Sequence, residues 1–189
     1  MLDARNFSGP DYVLLIRLGP RSDERLDAAE RTVWRRPELT RHARSTTGIA
    51  RLPAGEVVPC SCLALPASQP RLIWSTGEAS PRPPDPALSP ADAVVLGLPL
   101  EVLTAIHGSE NLPGVYAEPW MRIIDEWLVE IARDVFEVAP FEVALVGEEI
   151  GVAGAEIFPP RDFDRLEGVL FPDRGGNLVW RPQRRSECP

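Results

Sequence analysis

The segment covering residues 118–138 constrains the fold more than any other part of the chain. Its apolar side chains recur every three or four positions, the spacing that places them on one side of an α-helix. Pro119 suits the first turn, where its missing N–H needs no partner. The segment therefore predicts a long helix with a buried stripe consisting of Trp120, Ile123, Ile124, Trp127, Leu128, Ile131, Val135 and Val138.

The first part of the chain predicts one strand followed by one helix. Residues 12–18 are rich in β-branched and other apolar side chains and are followed by Gly19-Pro20, which is typical of a buried central strand that ends in a turn. Ser22 is a good N-cap, and Asp23 and Glu24 would lie in the positively polarised first turn of a helix that extends to about residue 36.

The remaining segments predict mainly short strands. Residues 93–98 fit either a strand or a helix, and Pro99 begins a short predicted helix that ends at His107, before Gly108. The other strand predictions are 48–52, 57–65 and 71–74, which suggest an antiparallel meander, then 141–146, and finally a hairpin of 168–171 and 177–181.

These elements predict an α+β fold. We expect one domain over residues 1–189, with a largely antiparallel or mixed sheet packed against one long amphipathic helix and one or two shorter helices. Five prolines make residues 76–90 an extended loop, and we expect a short flexible tail from about residue 182.

The composition indicates a protein of the reducing cytoplasm. The N-terminus has no basic start followed by an apolar run, and no apolar stretch is long enough to span a membrane. All 20 basic residues are arginine, as is typical of a protein from a bacterium with a GC-rich genome. An odd number of cysteines, namely Cys60, Cys62 and Cys188, does not indicate a disulfide framework.

The charge is distributed unevenly along the chain. The formal net charge is −8, with +3 in residues 1–84 and −11 in residues 85–189. A nucleic-acid-binding surface needs a basic footprint to neutralise phosphates. We therefore expect neither a nucleic acid nor a membrane as partner.

No segment predicts a catalytic, metal or cofactor site. Cys60 and Cys62 would point to the same side of a strand and are better explained as small core residues than as zinc ligands. His107 suits the C-terminal end of a helix, and His42 lies in a polar, exposed segment. Glycines 147, 151 and 154 match no nucleotide-binding spacing. Glu148 and Glu149 follow a strand and leave a carboxylate or divalent-metal site open as an alternative.

The density of acids in residues 101–158 is the best indication of function. This stretch has twelve acids and two arginines, a net charge of −10. Such a surface accelerates encounter with a basic partner, and small acidic immunity proteins have a similar size and charge character. We therefore expect a non-enzymatic inhibitor or immunity-type module that binds a basic protein. The predicted contact residues are Glu126, Glu130, Asp134, Glu137, Glu148 and Glu149, with Trp180 as a candidate aromatic contact.

Two alternatives remain at this point. The first is a small enzyme that uses carboxylates, with or without a divalent metal. The second is a structural or assembly subunit that makes contacts through its proline-rich loop and aromatic residues. Acids that converge in a buried place would favour the enzyme, and acids spread over a convex surface would favour the binding module.

We predict that no intramolecular disulfide supports the fold. The melting temperature should be the same with and without a thiol reductant, because a protein without disulfides loses no stabilising bond on reduction. Reduction of a native disulfide, by contrast, usually costs several kcal/mol of stability. Thermal melts under both conditions test this. A large drop on reduction would contradict it.

Overall fold

The computed structural model describes residues 11–43, 45–67, 91–107, 119–148 and 166–182. In chain order the elements are β1 Asp11–Gly19, α1 Asp23–Arg35, β2 Leu39–Arg41, β3 Thr47–Arg51, β4 Val57–Leu65, β5 Asp92–Pro99, α2 Leu100–His107, α3 Pro119–Val138, β6 Val143–Glu148, β7 Leu166–Pro172 and β8 Leu178–Pro182. The expected α+β class is confirmed.

The described strands form one sheet in the order β2-β3-β4-β5-β1-β6-β7-β8, and each pairing is antiparallel. β1 lies at the centre, between β5 and β6, as its apolar sequence predicts. Leu15 shows the register at this centre, since it lies opposite Val95 on one side and Leu145 on the other.

All three described helices pack on one face of the sheet. Alternate residues of β1, including Leu14 and Ile16, are about 1% exposed and belong to the same core cluster as the buried residues of the helices. Ser22 caps α1 by accepting a hydrogen bond from the Arg25 N–H at 3.3 Å. The apolar side of α1 faces this core because Leu26, Ala29 and Val33 are buried.

The opposite face of the sheet is also apolar, and we call it the second face. Its cluster consists of the buried residues Val13, Leu15, Val95, Val143 and Leu145 and the partly buried Leu63, Leu65, Val169 and Phe171. Every one of these residues belongs to a strand. The second face therefore differs from the first in having no described helix on it.

Two predictions about α3 and its surroundings need correction. Ile123 and Val138 were assigned to the buried stripe but are 45% and 56% exposed. They lie at the margins of the stripe, where the curved helix surface turns away from the sheet. The strand predicted at 141–146 begins at Val143, because Phe141 instead leaves the sheet edge and packs edge-on against Phe136 at 5.0 Å between ring centroids.

The ambiguous segment 93–98 is a strand, and the short helix after it begins at Leu100 rather than at Pro99. β2 was not predicted, because only its first residue is buried and a three-residue strand carries little pattern. The predicted strand 71–74, the loop 76–90 and the tail beyond residue 182 lie outside the described residues. No helix in the described ranges is long and apolar enough to cross a membrane.

The completely buried Asp92 connects three elements. Its two carboxylate oxygens accept hydrogen bonds from the Ser22 N–H at 2.6 Å and the Ala67 N–H at 2.8 Å. A buried carboxylate is tolerated only where such donors replace the water it has lost. Asp92 therefore ties the start of α1 and the residue pair after β4 to the first residue of β5.

Two adjacent isoleucines of α3 provide a matched test of this packing. Ile124 is 2% exposed and Ile123 is 45% exposed. We expect Ile124→Ala to lower the free energy of unfolding by ~2–5 kcal/mol, because the change leaves a cavity in the core. Ile123→Ala makes the same chemical change in the same helix and should cost less than about 1 kcal/mol. Urea melts measure both values, and equal losses would contradict the observed orientation of α3.

Candidate functional site

Four predicted contact residues lie together on the solvent side of α3, and we call them the acidic face: Glu126, Glu130, Asp134 and Glu137. They are spaced three or four positions apart, so that successive side chains are neighbours on the helix surface. The side chains of Glu126 and Glu130 are 69% and 61% exposed, and that of Asp134 is 43% exposed.

Arginines neutralise part of the acidic face. Arg36, just after α1, places its guanidinium 2.6 Å from Asp134, 3.8 Å from Glu130 and 3.3 Å from Glu38. This arginine has a side chain only 18% exposed, so its position is held by the packing of α1 on α3. The centre of the acidic face is therefore paired within the protein.

The two ends of the acidic face are less constrained. Glu126 is 3.5 Å from Arg122, but both side chains are largely exposed, and such pairs contribute about 0–1 kcal/mol. Glu137 takes part in no ion pair among the described residues, and Arg133 is exposed on the same side of the helix. Glu126 and Glu137 thus remain accessible to a partner.

Glu148 does not belong to the exposed surface on which the sequence placed it. It is only 6% exposed, and it ends β6 opposite Tyr12 of β1. Because β6 is covered by α3, a residue on the helix side of this strand is buried even at the strand's last position. Glu149 lies outside the described residues.

Asp125 is a functional candidate that the sequence analysis did not single out, and it lies half-buried on α3. The Tyr12 hydroxyl donates a short hydrogen bond to its carboxylate, across 113 positions of sequence. Burial raises the pKa of Asp125 to about 6, Tyr12 opposes this shift, and the charge of Glu126 adds to it. A possible signal was the position of Asp125 next to Ile124 and three residues before Leu128, at the margin of the apolar stripe.

Further carboxyls lie at the same end of the sheet, and we call Asp11, Glu101, Asp125 and Glu148 the carboxyl edge. Asp11 begins β1, and burial together with the charge of Glu101 raises its pKa. Its Oδ2 atom lies 3.1 Å from the position that a side-chain carbon on Gly97 would occupy, so Gly97 leaves room for it. Within the described ranges, no group of three or more potential ligands is arranged to hold a metal ion.

Trp180 is not a free aromatic contact. It packs against the main core from β8, and its ring lies across Gly168 of β7. A side-chain carbon at Gly168 would be 2.1 Å from Cη2 of this ring, so only glycine permits the contact. The tryptophan is partly buried and covers the bare backbone of its neighbouring strand.

The cysteines and histidines behave as structural residues. Cys60 and Cys62 are free and buried on the helix side of the sheet, as the sequence predicts. Burial raises the pKa of Cys60 to about 12 and raises that of Cys62 as well, so both are poor nucleophiles. His42 is exposed, and His107 stacks on Trp120 with the ring centroids 4.6 Å apart.

Comparison of this chain with protein-family models, with curated proteins and with solved structures finds no match.

The raised pKa of Asp125 predicts a specific pH dependence of stability. Its pKa of about 6 in the folded protein exceeds the ordinary value of 3.8. At a pH between these two values, the folded state therefore binds more protons than the unfolded state. The free energy of unfolding should therefore fall, relative to that of Asp125→Asn, as the pH rises through this interval, by about 3 kcal/mol at most.

Urea melts of both proteins from about pH 4 to about pH 7 measure this difference. Tyr12→Phe is the control, because loss of the hydroxyl that opposes the shift should move the fall to higher pH. Parallel stability curves for wild type and Asp125→Asn would contradict the buried position of this carboxyl.

Proposed function

We propose that the protein is a non-enzymatic binding module of the inhibitor or immunity type, and that its acidic face binds a basic protein. The observation that carries this proposal is the alignment of Glu126, Glu130, Asp134 and Glu137 on the solvent side of a single helix. From first to last this row extends ~16 Å along the helix axis, at 1.5 Å per residue.

The rigidity of α3 supports a binding role. Behind the acidic face the helix buries Leu128, Ile131 and Val135, which are completely inaccessible to solvent. A helix fixed in this way presents its charges without an additional loss of conformational freedom on binding. The acids are also spread over a convex surface, the arrangement expected for steering a partner.

The internal arginines divide the acidic face into parts with different roles. Arg36 already neutralises Asp134 and Glu130, so these acids contribute less to a partner's electrostatic attraction. Glu126 and Glu137, at the two ends, contribute more. Glu148 is buried and is no longer part of the proposed contact set, whereas Glu149 remains in it.

The proposal includes a reducing, cytoplasmic location and a partner other than nucleic acid. The buried free thiols of Cys60 and Cys62 suit a reducing compartment. The net charge of −8 would repel nucleic-acid phosphates.

A second candidate function is a carboxylate-dependent enzyme, which the carboxyl edge favours. Buried carboxyls with raised pKa values are common at active sites, and Asp125 has a hydrogen-bonding tyrosine beside it. In this alternative Asp125 would exchange a proton with substrate, and Tyr12 would orient it. A screen for hydrolase turnover, with Asp125→Asn as the inactive control, tests this candidate.

The binding proposal predicts that reversing the charge at both ends of the acidic face slows association. The double variant Glu126→Arg and Glu137→Arg leaves the contacts of Arg36 in place. Its association rate constant for the basic partner should fall by about tenfold or more at low salt, because steering raises association rates by 10–1,000-fold. At high salt the two proteins should bind at similar rates, because screening removes the difference.

The partner is first recovered from native lysate on immobilised protein, and its association is then measured by stopped-flow mixing. Recovery of a protein from the lysate does not by itself support the binding proposal. The matched control is Glu24→Arg and Asp27→Arg on α1, which makes the same change in net charge at exposed positions of another helix. Equal low-salt association rates for wild type and the α3 variant would overturn the proposal.

A further inference from the structure

The C-terminal end of α2 meets the first turn of α3 through an aromatic pair. The rings of His107 and Trp120 are stacked, with an interplanar angle of 7° and their centroids 4.6 Å apart. His107 is the last residue of α2, and Trp120 is the second residue of α3. Both residues are half-buried. The contact therefore joins the two helices and leaves part of each residue at the surface.

Two exposed isoleucines flank this aromatic pair. Ile106 directly precedes His107 and is 41% exposed, and Ile123 lies one helical turn after Trp120 and is 45% exposed. Exposed apolar side chains that occur singly are common on soluble proteins, but these two lie within one turn of the same ring contact. We call Ile106, His107, Trp120 and Ile123 the junction patch.

The junction patch has the composition of an interface anchor. Tryptophan is enriched among the few residues that contribute most of the binding free energy at protein interfaces. The exposed surface of the two isoleucines is in water in the free protein, and its removal from water is favourable. Trp120 is already held against His107 and against the main core. Binding at the patch would therefore cost little additional conformational freedom.

The charges around the junction patch favour a basic partner. Glu126 lies one turn beyond Ile123, and its side chain is 69% exposed. The other charged residues of α2 and of the first two turns of α3 are Glu101, Asp125 and Arg122. Arg122 already pairs with Glu126 at 3.5 Å. Three carboxyls and one arginine therefore give the patch acidic surroundings.

We infer that the junction patch is the apolar anchor for the basic protein that the acidic face attracts, and that it receives an apolar side chain flanked by arginine or lysine. This inference rests on the proposed function, because the acidic face provides the attraction. The two surfaces have different roles in binding. The charges of α3 accelerate the encounter, and the patch slows dissociation once water has been expelled from it.

Two further exposed apolar residues provide a matched control. Ile49 on β3 and Val57 on β4 are 39% and 49% exposed, close to the values for the isoleucines of the junction patch. Val57 pairs with Arg51 in the register of these strands, so the charge beside it is basic. The control residues thus have comparable exposure but lack acidic surroundings of the kind found on α3.

The first test follows the δ1 methyl groups of isotopically labelled isoleucine by NMR in the full chain. The probe is a synthetic arginine-leucine peptide with its leucines spaced to form one side of a helix. We expect the methyl signals of Ile106 and Ile123 to shift on titration, with no comparable shift of Ile49. A peptide with serine in place of each leucine keeps the charge and should give much smaller shifts.

Two results of this titration would overturn the inference. One is a larger shift at Ile49 than at Ile106 and Ile123, and the other is an equal response to the two peptides. Signals of Ile106 and Ile123 that change with protein concentration in the absence of peptide would also overturn it, because they would identify a second copy of the chain as the occupant.

The second test measures the affinity of the same arginine-leucine peptide for paired variants. Ile106→Ser with Ile123→Ser should weaken binding by about fivefold or more, mainly through faster dissociation. Both side chains are exposed, so the fold should be retained. Ile49→Ser with Val57→Ser should bind the peptide like wild type. Equal affinities of wild type and the first variant, or equal losses in both variants, would contradict the inference.

The charge variant of the acidic face separates this inference from the proposed function. Glu126→Arg with Glu137→Arg should slow association of the peptide, whereas the isoleucine substitutions should speed its dissociation. If only the isoleucine substitutions weaken binding, the apolar anchor is supported and the proposed function fails. If only the charge reversal weakens binding, the proposed function is supported and the apolar anchor is overturned.

Discussion

β1 is apolar on both of its faces, and the rest of the structure follows from the need to bury both. Tyr12, Leu14 and Ile16 point to the helices, while Val13 and Leu15 point to the second face. An antiparallel sheet often leaves one face in water, but a central strand of this kind cannot. Among the described residues, three helices cover one side of the sheet, and strand residues alone form the apolar cluster on the other.

Two charged residues determine how the layers join. Asp92 is buried and accepts hydrogen bonds from the backbone N–H of Ser22, just before α1, and of Ala67, just after β4, so it aligns elements that are distant in sequence. Arg36 bridges α1 and α3 through Asp134 and Glu130. Burying a charge is costly unless its partners are in place, so each contact favours one arrangement of the elements over slightly shifted ones.

The same contacts change the electrostatic view of function. Counted along the sequence, residues 101–158 form a dense acidic block, but in three dimensions the block separates into two groups. Exposed acids on α3 share their surface with arginines, whereas the carboxyl edge contains the buried Glu148 and the half-buried Asp11 and Asp125. The first group supports the proposed binding role, and the second contains the titrating Asp125 that the alternative enzymatic role would need.

The sequence by itself determined the elements whose patterns are local. The long amphipathic α3, the Ser22-capped α1, the central β1 and the C-terminal hairpin all follow from periodicity and capping or turn residues that lie close together in the chain. Partners across the fold required the tertiary structure. The side on which Asp125 faces depends on Tyr12, the burial of Glu148 depends on α3 above β6, and the place of Trp180 depends on the bare backbone of Gly168. Each of these contacts joins residues that local pattern cannot pair, because only folding brings them within reach.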